Sequence, residues 1–313
     1  MKKISIVVPM YNEEEMIPLF FETANNVIKN LDNKYKVSFT CVDDGSKDRT
    51  LDLLKKQRKI QSNIRIISFS RNFGHEAAVC AGLKQSNGDI IIVMDADLQD
   101  PPEVILQLIK KYEEGYDVVN AKRINREKDP FLKKITAEGF YSIINKLSTK
   151  NKIPSNVGNF RLMTRKVVDY INELTESNRV FRVEVPYVGF PTAEVEFARP
   201  ERIKGKTHYN YKSMFRLAGD SIVSNSIEPL RWILLLGIGF LIISIILFII
   251  FLILKLTKVL GTLGIVLSTI SIWGSIILIC IGIVGNYVGR TLIETQKRPL
   301  YYIKEEIEDK VWK

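Results

Sequence analysis

Five short runs rich in β-branched residues, Ile4 to Val8, Ser38 to Val42, Ile64 to Phe69, Ile90 to Met94 and Val118 to Ala121, alternate with helical stretches beginning near Glu14, Asp48, His75 and Pro102. That alternation constrains the fold more than any other feature, because it predicts an α/β, doubly wound and mainly parallel sheet. In such sheets ligands bind beyond the carboxyl ends of the strands. The residues after the five runs are "PMYNEEE", "DDGSKDRT", "SRNFGHE", "DADLQD" and "KR". Ordinary turns explain Gly and Asp there, but not so many carboxylates beside Arg and Asn at one edge.

The fourth of these turns is the densest. Ile90 to Met94 reads as a strand covered on both faces, and Pro101 and Pro102 open an amphipathic helix through Val104, Ile105, Leu108, Ile109 and Tyr112. Asp95, Asp97 and Asp100 therefore share one strand-to-helix turn. Like charges that close repel unless something positive sits among them. A divalent cation bridging an anionic ligand would serve, and a solvated turn with Asp capping the helix is the plainer alternative.

Beyond the sheet, residues 140–174 read as helix, a loop with Pro154 and Gly158, a short strand, then helix. "FRVEVPYVGFPTAEVEF", Phe181 to Phe197, alternates like a strand pair broken by Pro186 and Pro191. From Tyr211 the apolar positions Met214, Phe215, Leu217, Ile222 and Val223, with Lys212 and Arg216 among them, suit a helix lying at a membrane interface or packed on the sheet domain. Trp232 to Leu254 and Leu260 to Val288 carry no charge. Each is long enough to cross a bilayer, which takes about 20 apolar residues.

The expected division is a front domain over 1–209, a juxtamembrane amphipathic region over 210–231, a two-helix transmembrane hairpin over 232–289 and a tail over 290–313. Lys212, Arg216, Arg231, Arg290, Lys297 and Arg298 flank the hairpin outside, against Lys255 and Lys258 in its loop. That count favours a cytoplasmic front domain and C-terminus in a two-span cell-membrane protein. The apolar run near the N-terminus is too short for a signal peptide. A net charge of +10 calls for anionic partners, but no lysine-rich arm or aromatic-interleaved basic patch speaks for nucleic acid. Cys41, Cys80 and Cys280 are scattered among apolar residues and form neither a disulfide framework nor a zinc site.

Together and in this order, "VVPMYNEEE", "CVDDGSKDRT", "FSRNFGHEAAVCAGL", "MDADLQDPPE", "GNFRLMTR" and the terminal apolar pair resemble family 2 glycosyltransferases of the GT-A fold. Within that family they are most similar to the polyprenyl-phosphate glycosyltransferases, such as dolichol-phosphate mannose synthase and bactoprenol glucosyltransferase. The resemblance implies that Pro9, Tyr11, Glu13 and Asp44 face the nucleotide base and ribose, with Asp43 close by and Arg71 in the same site. Asp43 and Asp44 also suit a helix cap, and Arg71 and Asn72 suit pins of their own loop. Asp95 is implied toward nucleotide and sugar, Asp97 toward a Mg²⁺ or Mn²⁺ holding the diphosphate, and Gln99 toward the acceptor.

Two positions depart from the family pattern. Asn159 stands where many relatives carry Asp, often treated as the base, and His208 in "GKTHY" stands where they carry Lys. A phosphate monoester is already largely a dianion at neutral pH, so such an acceptor needs positioning more than deprotonation. Asn159 and Arg161 are therefore retained as site residues, with Arg161, Arg179, Arg182, Arg202, Lys206 and His208 as candidates to hold the acceptor phosphate. These basic residues equally suit a solvated face or a patch for anionic lipid.

The expected activity is inverting transfer of one hexose or N-acetylhexosamine from a nucleotide sugar, a UDP-sugar foremost, to undecaprenyl phosphate at the cytoplasmic face. A separate flippase would act downstream in cell-envelope glycan modification, and a homo-oligomer is compatible with this scheme. Two other readings compete. A processive polysaccharide synthase would carry Q-x-x-R-W, of which "EPLRW" is a near miss. A non-catalytic membrane scaffold is suggested by Asn159 and His208 and opposed by Asp95, Asp97, Asp44 and Glu13.

Overall fold

The structure is a computed structural model that describes residues 1–31, 33–124, 156–177, 179–198, 200, scattered positions between 233 and 250, and 262–309. The expected juxtamembrane helix over 210–231, most of the first uncharged run, and Arg202, Lys206 and His208 lie outside the described residues. The chain divides into two compact units, Met1–Asn210 with Pro299–Lys313, and Tyr211–Arg298.

In the first unit β1 (Lys2–Met10), α1 (Ile17–Ile28), β2 (Tyr35–Asp43), α2 (Thr50–Ile60), β3 (Ile64–Phe69), α3 (His75–Gln85), β4 (Ile90–Val93), α4 (Val104–Glu113) and β5 (Val118–Arg123) alternate as predicted. They are followed by β6 (Val157–Thr164), α5 (Arg165–Glu173), α6 (Phe181–Tyr187), β7 (Thr192–Phe197) and, after the second unit, β8 (Ile303–Ile307). The strands form one sheet in the order β7-β5-β6-β4-β1-β2-β3-β8. β4, β1, β2 and β3 run parallel, β6 is antiparallel to both β4 and β5, and β8 is antiparallel to β3.

The central strands are apolar along their whole length because both faces are covered. Ile4, Ile6 and Val8 of β1 face one core with Phe20, Phe21 and Phe39, whose rings meet edge to face at 5.2–6.1 Å. Val7, Ile91 and Val93 face the other with Val79, Leu83, Val168 and Phe181. Gly82 lets α3 lie close on β1, since a Cβ there would collide with Val7.

Two expectations fail. Phe181 to Tyr187, predicted as a strand from its period-two pattern, is a helix, and only Thr192–Phe197 is extended. The backbone N–H groups at the start of α6 explain this: Val180 donates to Glu184 Oε1 at 3.0 Å and Phe181 to Glu76 Oε2 at 3.0 Å. Carboxylates thus satisfy donors that a helix leaves open at its N-terminus. The tail is the second. Its residues from Pro299 belong to the first unit, and β8 covers the edge of β3 through the pairs Ile66↔Ile307, Ile67↔Glu306 and Ser68↔Glu305.

In the second unit α7 (Thr262–Gln296) is 35 residues long. Among the described residues no helix is long and apolar enough to cross a membrane, and the side chains of several α7 positions fall outside that set.

Candidate active site

The carboxyl ends of β1, β2, β3 and β4 bring the predicted loops together. Pro9 is buried next to the end of β1, and Tyr11 is exposed beside Asn12, whose backbone takes the left-handed conformation at φ 54°. Asn12 N–H donates to Ser46 Oγ at 3.0 Å and Glu13 N–H to Thr50 Oγ1 at 2.8 Å, which zips this turn to the one after β2.

After β2 the paired aspartates divide their tasks. Asp43 is buried and accepts from Ser46 N–H at 3.0 Å and Ser68 Oγ at 2.8 Å, so it shapes the turn. Asp44 accepts from Asn72 Nδ2 at 2.9 Å, Phe73 N–H at 2.7 Å and Gly74 N–H at 2.9 Å. Burial pushes its carboxyl up, and the Phe73 and Gly74 amides oppose that shift. Gly45, at φ +66°, allows this because a side chain there would strike the Arg71 backbone. Arg71 lies over the Phe73 ring at 4.2 Å and its Nη1 donates to Asn72 O at 3.3 Å. Its contacts are those of a loop pin.

The cluster of three aspartates after β4 also divides. Asp100 turns inward, 1% exposed, with Arg123 Nη2 3.6 Å from its Oδ1. Its Oδ2 accepts from Asp95 N–H at 3.3 Å. Part of the positive charge that the cluster demands is therefore an arginine. Asp97 Oδ1 accepts from Gln99 N–H at 3.1 Å around Leu98, a buried residue held at φ 56°. A left-handed non-glycine residue is costly, and such strain gathers at functional turns. Asp95 Oδ1 is buried with no hydrogen-bond partner, and His75 Nε2 stands 3.8 Å from it.

Among the described residues no group of three or more His, Cys, Asp or Glu could hold a metal ion by itself. Mg²⁺-like ions are commonly held by one or two carboxylates plus substrate phosphates, and the orphaned oxygen of Asp95 beside Asp97 fits that arrangement.

On β6, Asn159 and Arg161 point to the α3 and α6 side. Arg182 Nε donates to Asn159 Oδ1 at 3.2 Å, and Asn159 Nδ2 lies 2.8 Å from His75 Nε2. A guanidinium only donates, so the amide oxygen must face Arg182 and the amide NH₂ must face His75. Nε2 of His75 is then the acceptor and Nδ1 carries the hydrogen. His75 stands in the quoted "SRNFGHE" run, yet sequence reasoning gave it no role; its place at the first position of α3, after the five loop residues 70–74, was the available signal.

Arg161 is fully buried, stacks over Phe181 at 4.8 Å, and donates from Nη2 to Gly158 O at 2.7 Å, while its Nε has no hydrogen-bond partner. Burial, with Arg182 adding repulsion, pulls its guanidinium down to about 9. Arg179 was expected at the acceptor phosphate, but its fork is taken by Glu184 at 2.6 and 2.7 Å and by the carbonyls of Leu174 and Ile171 at 2.9 Å. Burial works against its charge, but the Glu184 hydrogen bonds and the attraction of nearby Cys80, Glu184 and Glu176 together raise it. It braces α6 in place of facing a ligand.

Residues 5–171, more than half of the chain, match Glycosyl transferase family 2. An uncharacterized glycosyltransferase of Bacillus subtilis, YkcC, is 40% identical over 96% of this chain and 93% of its own. A prophage bactoprenol glucosyl transferase homolog of Escherichia coli is 42% identical over 96% of this chain and 98% of its own. A solved glucosyl-3-phosphoglycerate synthase of Mycobacterium tuberculosis, in complex with Mn²⁺, UDP-glucose and phosphoglyceric acid, is 19% identical over 71% of this chain and 78% of its own, with a TM-score of 0.47. By its sequence match, its near full-length relatives and its sheet, the chain is a glycosyltransferase of family 2 with the GT-A fold.

Proposed function

We propose that this glycosyltransferase moves one sugar, a hexose or N-acetylhexosamine, from a nucleotide sugar to a polyprenyl phosphate such as undecaprenyl phosphate. The observation that carries the reading is Arg161: a buried guanidinium with an orphaned Nε and Arg182 nearby, beside Asn159, His75 and Asp95. A buried cation is expensive without an anion, and Arg forks match phosphate oxygens. Relatives named bactoprenol glucosyl transferase, 41–42% identical over nearly the whole chain, support a lipid phosphate as that anion.

In this scheme an acceptor phosphate oxygen attacks the anomeric carbon as the bond to the departing diphosphate breaks, with inversion. The nucleophile is already ionised, so no base is required. Arg161 and Arg182 would orient it, while Asp44 and the loop it anchors would hold the nucleotide, UDP being the first choice. Asp95 and Asp97 would hold a Mg²⁺ or Mn²⁺, which when bound supplies neutralisation of the charge growing on the diphosphate.

The lipid acceptor also accounts for the uncharged runs. In α7 the large apolar residues Ile270, Ile277, Ile279, Ile281 and Val288 are 53–63% exposed, which suits contact with acyl chains and is costly in water. We read Trp232 to Leu254 and Leu260 to Val288 as two spans, with the first unit at the cytoplasmic face.

The test uses detergent-purified protein, undecaprenyl phosphate, Mn²⁺ or Mg²⁺, and radiolabelled UDP- and GDP-sugars. Label from one donor should enter the organic phase and disappear in Asp97→Ala. Folded protein that labels no lipid from any donor would overturn the reading.

A further inference from the structure

The C-terminal strand does more than cover a sheet edge. β8 is bulged against β3 between Ser68 and Phe69, and beyond the bulge Ser70 N–H donates to Tyr302 O at 3.0 Å. Pairing therefore runs past the end of β3 into the loop that follows it. Tyr301 stacks flat on Phe69, with centroids 4.8 Å apart and planes at 12°. Tyr302 meets Phe73 at 6.0 Å, and Phe73 in turn stands edge-on to Phe69 at 5.7 Å.

The loop held this way, residues 70–74, supplies all three donors to Asp44, from Asn72, Phe73 and Gly74, and leads directly into His75. Along its length β8 is fastened by Lys55 to Glu305 at 2.6 Å, Arg65 to Glu306 at 3.4 Å, and Arg58 Nη2 to the Glu308 carbonyl at 3.0 Å. Tyr301 and Tyr302 meet the aromatic rings of Phe69 and Phe73 instead.

We infer that Tyr301 and Tyr302 are positioning residues for the sugar nucleotide: by clasping Phe69 and Phe73 they fix the loop that orients Asp44. The inference rests on the reading that Asp44 faces the nucleotide. A loop freed from the clasp keeps its sequence but loses its preorganisation, and binding then carries the cost of ordering it.

The experiment measures initial rates of lipid labelling against donor and acceptor concentration for the full-length chain, Tyr301→Ala, Tyr302→Ala and Tyr301→Phe. It is paired with calorimetric titration of UDP and Mn²⁺ and with melting curves. Tyr301→Ala should raise the donor KM and the UDP Kd about tenfold, in keeping with one aromatic contact, while kcat and the acceptor KM stay within about threefold. Tyr302→Ala should follow in the same direction, and Tyr301→Phe, which keeps the ring, should restore the donor KM. Unchanged donor KM in both alanine variants, or a fall in kcat alone, would overturn the inference while leaving the catalytic reading intact. If Tyr301→Ala does not fold, Tyr302→Ala and Tyr301→Phe decide by the same criterion. A wild-type chain that labels lipid from no donor and binds neither UDP nor GDP would overturn the functional reading, and this inference with it.

Discussion

Asp44 and Asp95 follow strands on either side of β1, and they are finished in opposite ways. Asp44 has three protein donors within 2.9 Å. Asp95 keeps a buried oxygen with no hydrogen-bond partner. A carboxylate whose bonds are complete is part of the frame, and its loss is felt as stability and placement. One left incomplete has an oxygen open to a cation, which in the proposed reaction would arrive with the substrate. The same contrast separates Arg179, locked to Glu184, from Arg161, whose Nε is orphaned.

The largest effect should come from the incomplete carboxylate. Asp95→Asn keeps the shape and removes the charge, so transfer should fall by at least about 10²-fold with the melting temperature unchanged or higher. Its counterpart Asp44→Asn places an NH₂ against donors, and should lower stability by about 1–3 kcal/mol and weaken nucleotide binding. Rate and melting curves of the two variants check the contrast; equal losses of stability in both would break it.

Arg161→Met sharpens the comparison among the cations. Among the described residues Arg161 has no ion pair, and Glu76 attracts it only from longer range; replacing such a buried charge by an apolar side chain of similar reach is commonly neutral or stabilising. The folded state holds this guanidinium down near 9, below its unfolded value, so it carries a cost at neutral pH that disappears only as the pH rises through and above that value. The variant should melt no lower than the wild type at pH 7 and lose about 10²-fold in transfer, with saturation by the acceptor affected before saturation by the donor. A marked drop in melting temperature would make Arg161 a structural residue.

How much of this was legible in the sequence depended on whether the deciding partner was near in the chain. The strands and their loops were, because β-branched runs and the polar turns after them are local signals. The inward role of Asp100 was not, since Arg123 reaches it from another strand. Phe181 to Tyr187 alternates like a strand, but Glu76, from a distant helix, and Glu184 take up its first amides. "YYIKEEIEDK" reads as a charged tail, and only the open edge of β3 makes it β8. His75 gained a role only once β6 brought Asn159 to it.

The smallest effect expected is that of Asn159→Asp, and it discriminates most finely between kinds of acceptor. Aspartate at this position would still accept from Arg182 Nε, now as a charge-assisted bond, so the β6 side of the site should keep its geometry. Toward His75 the amide donor becomes a second acceptor, and the imidazole must turn its own N–H to it. If the acceptor is a phosphate, already ionised, a base has nothing to remove and transfer should stay within about threefold or rise slightly. If the acceptor were a sugar hydroxyl, restoring a carboxylate would restore a base, and the rate should climb by about 10²- to 10⁴-fold. A severe fall would mean that the neutral amide and its hydrogen bond to His75 are needed for positioning, and would sink the account of an acceptor that requires orientation alone.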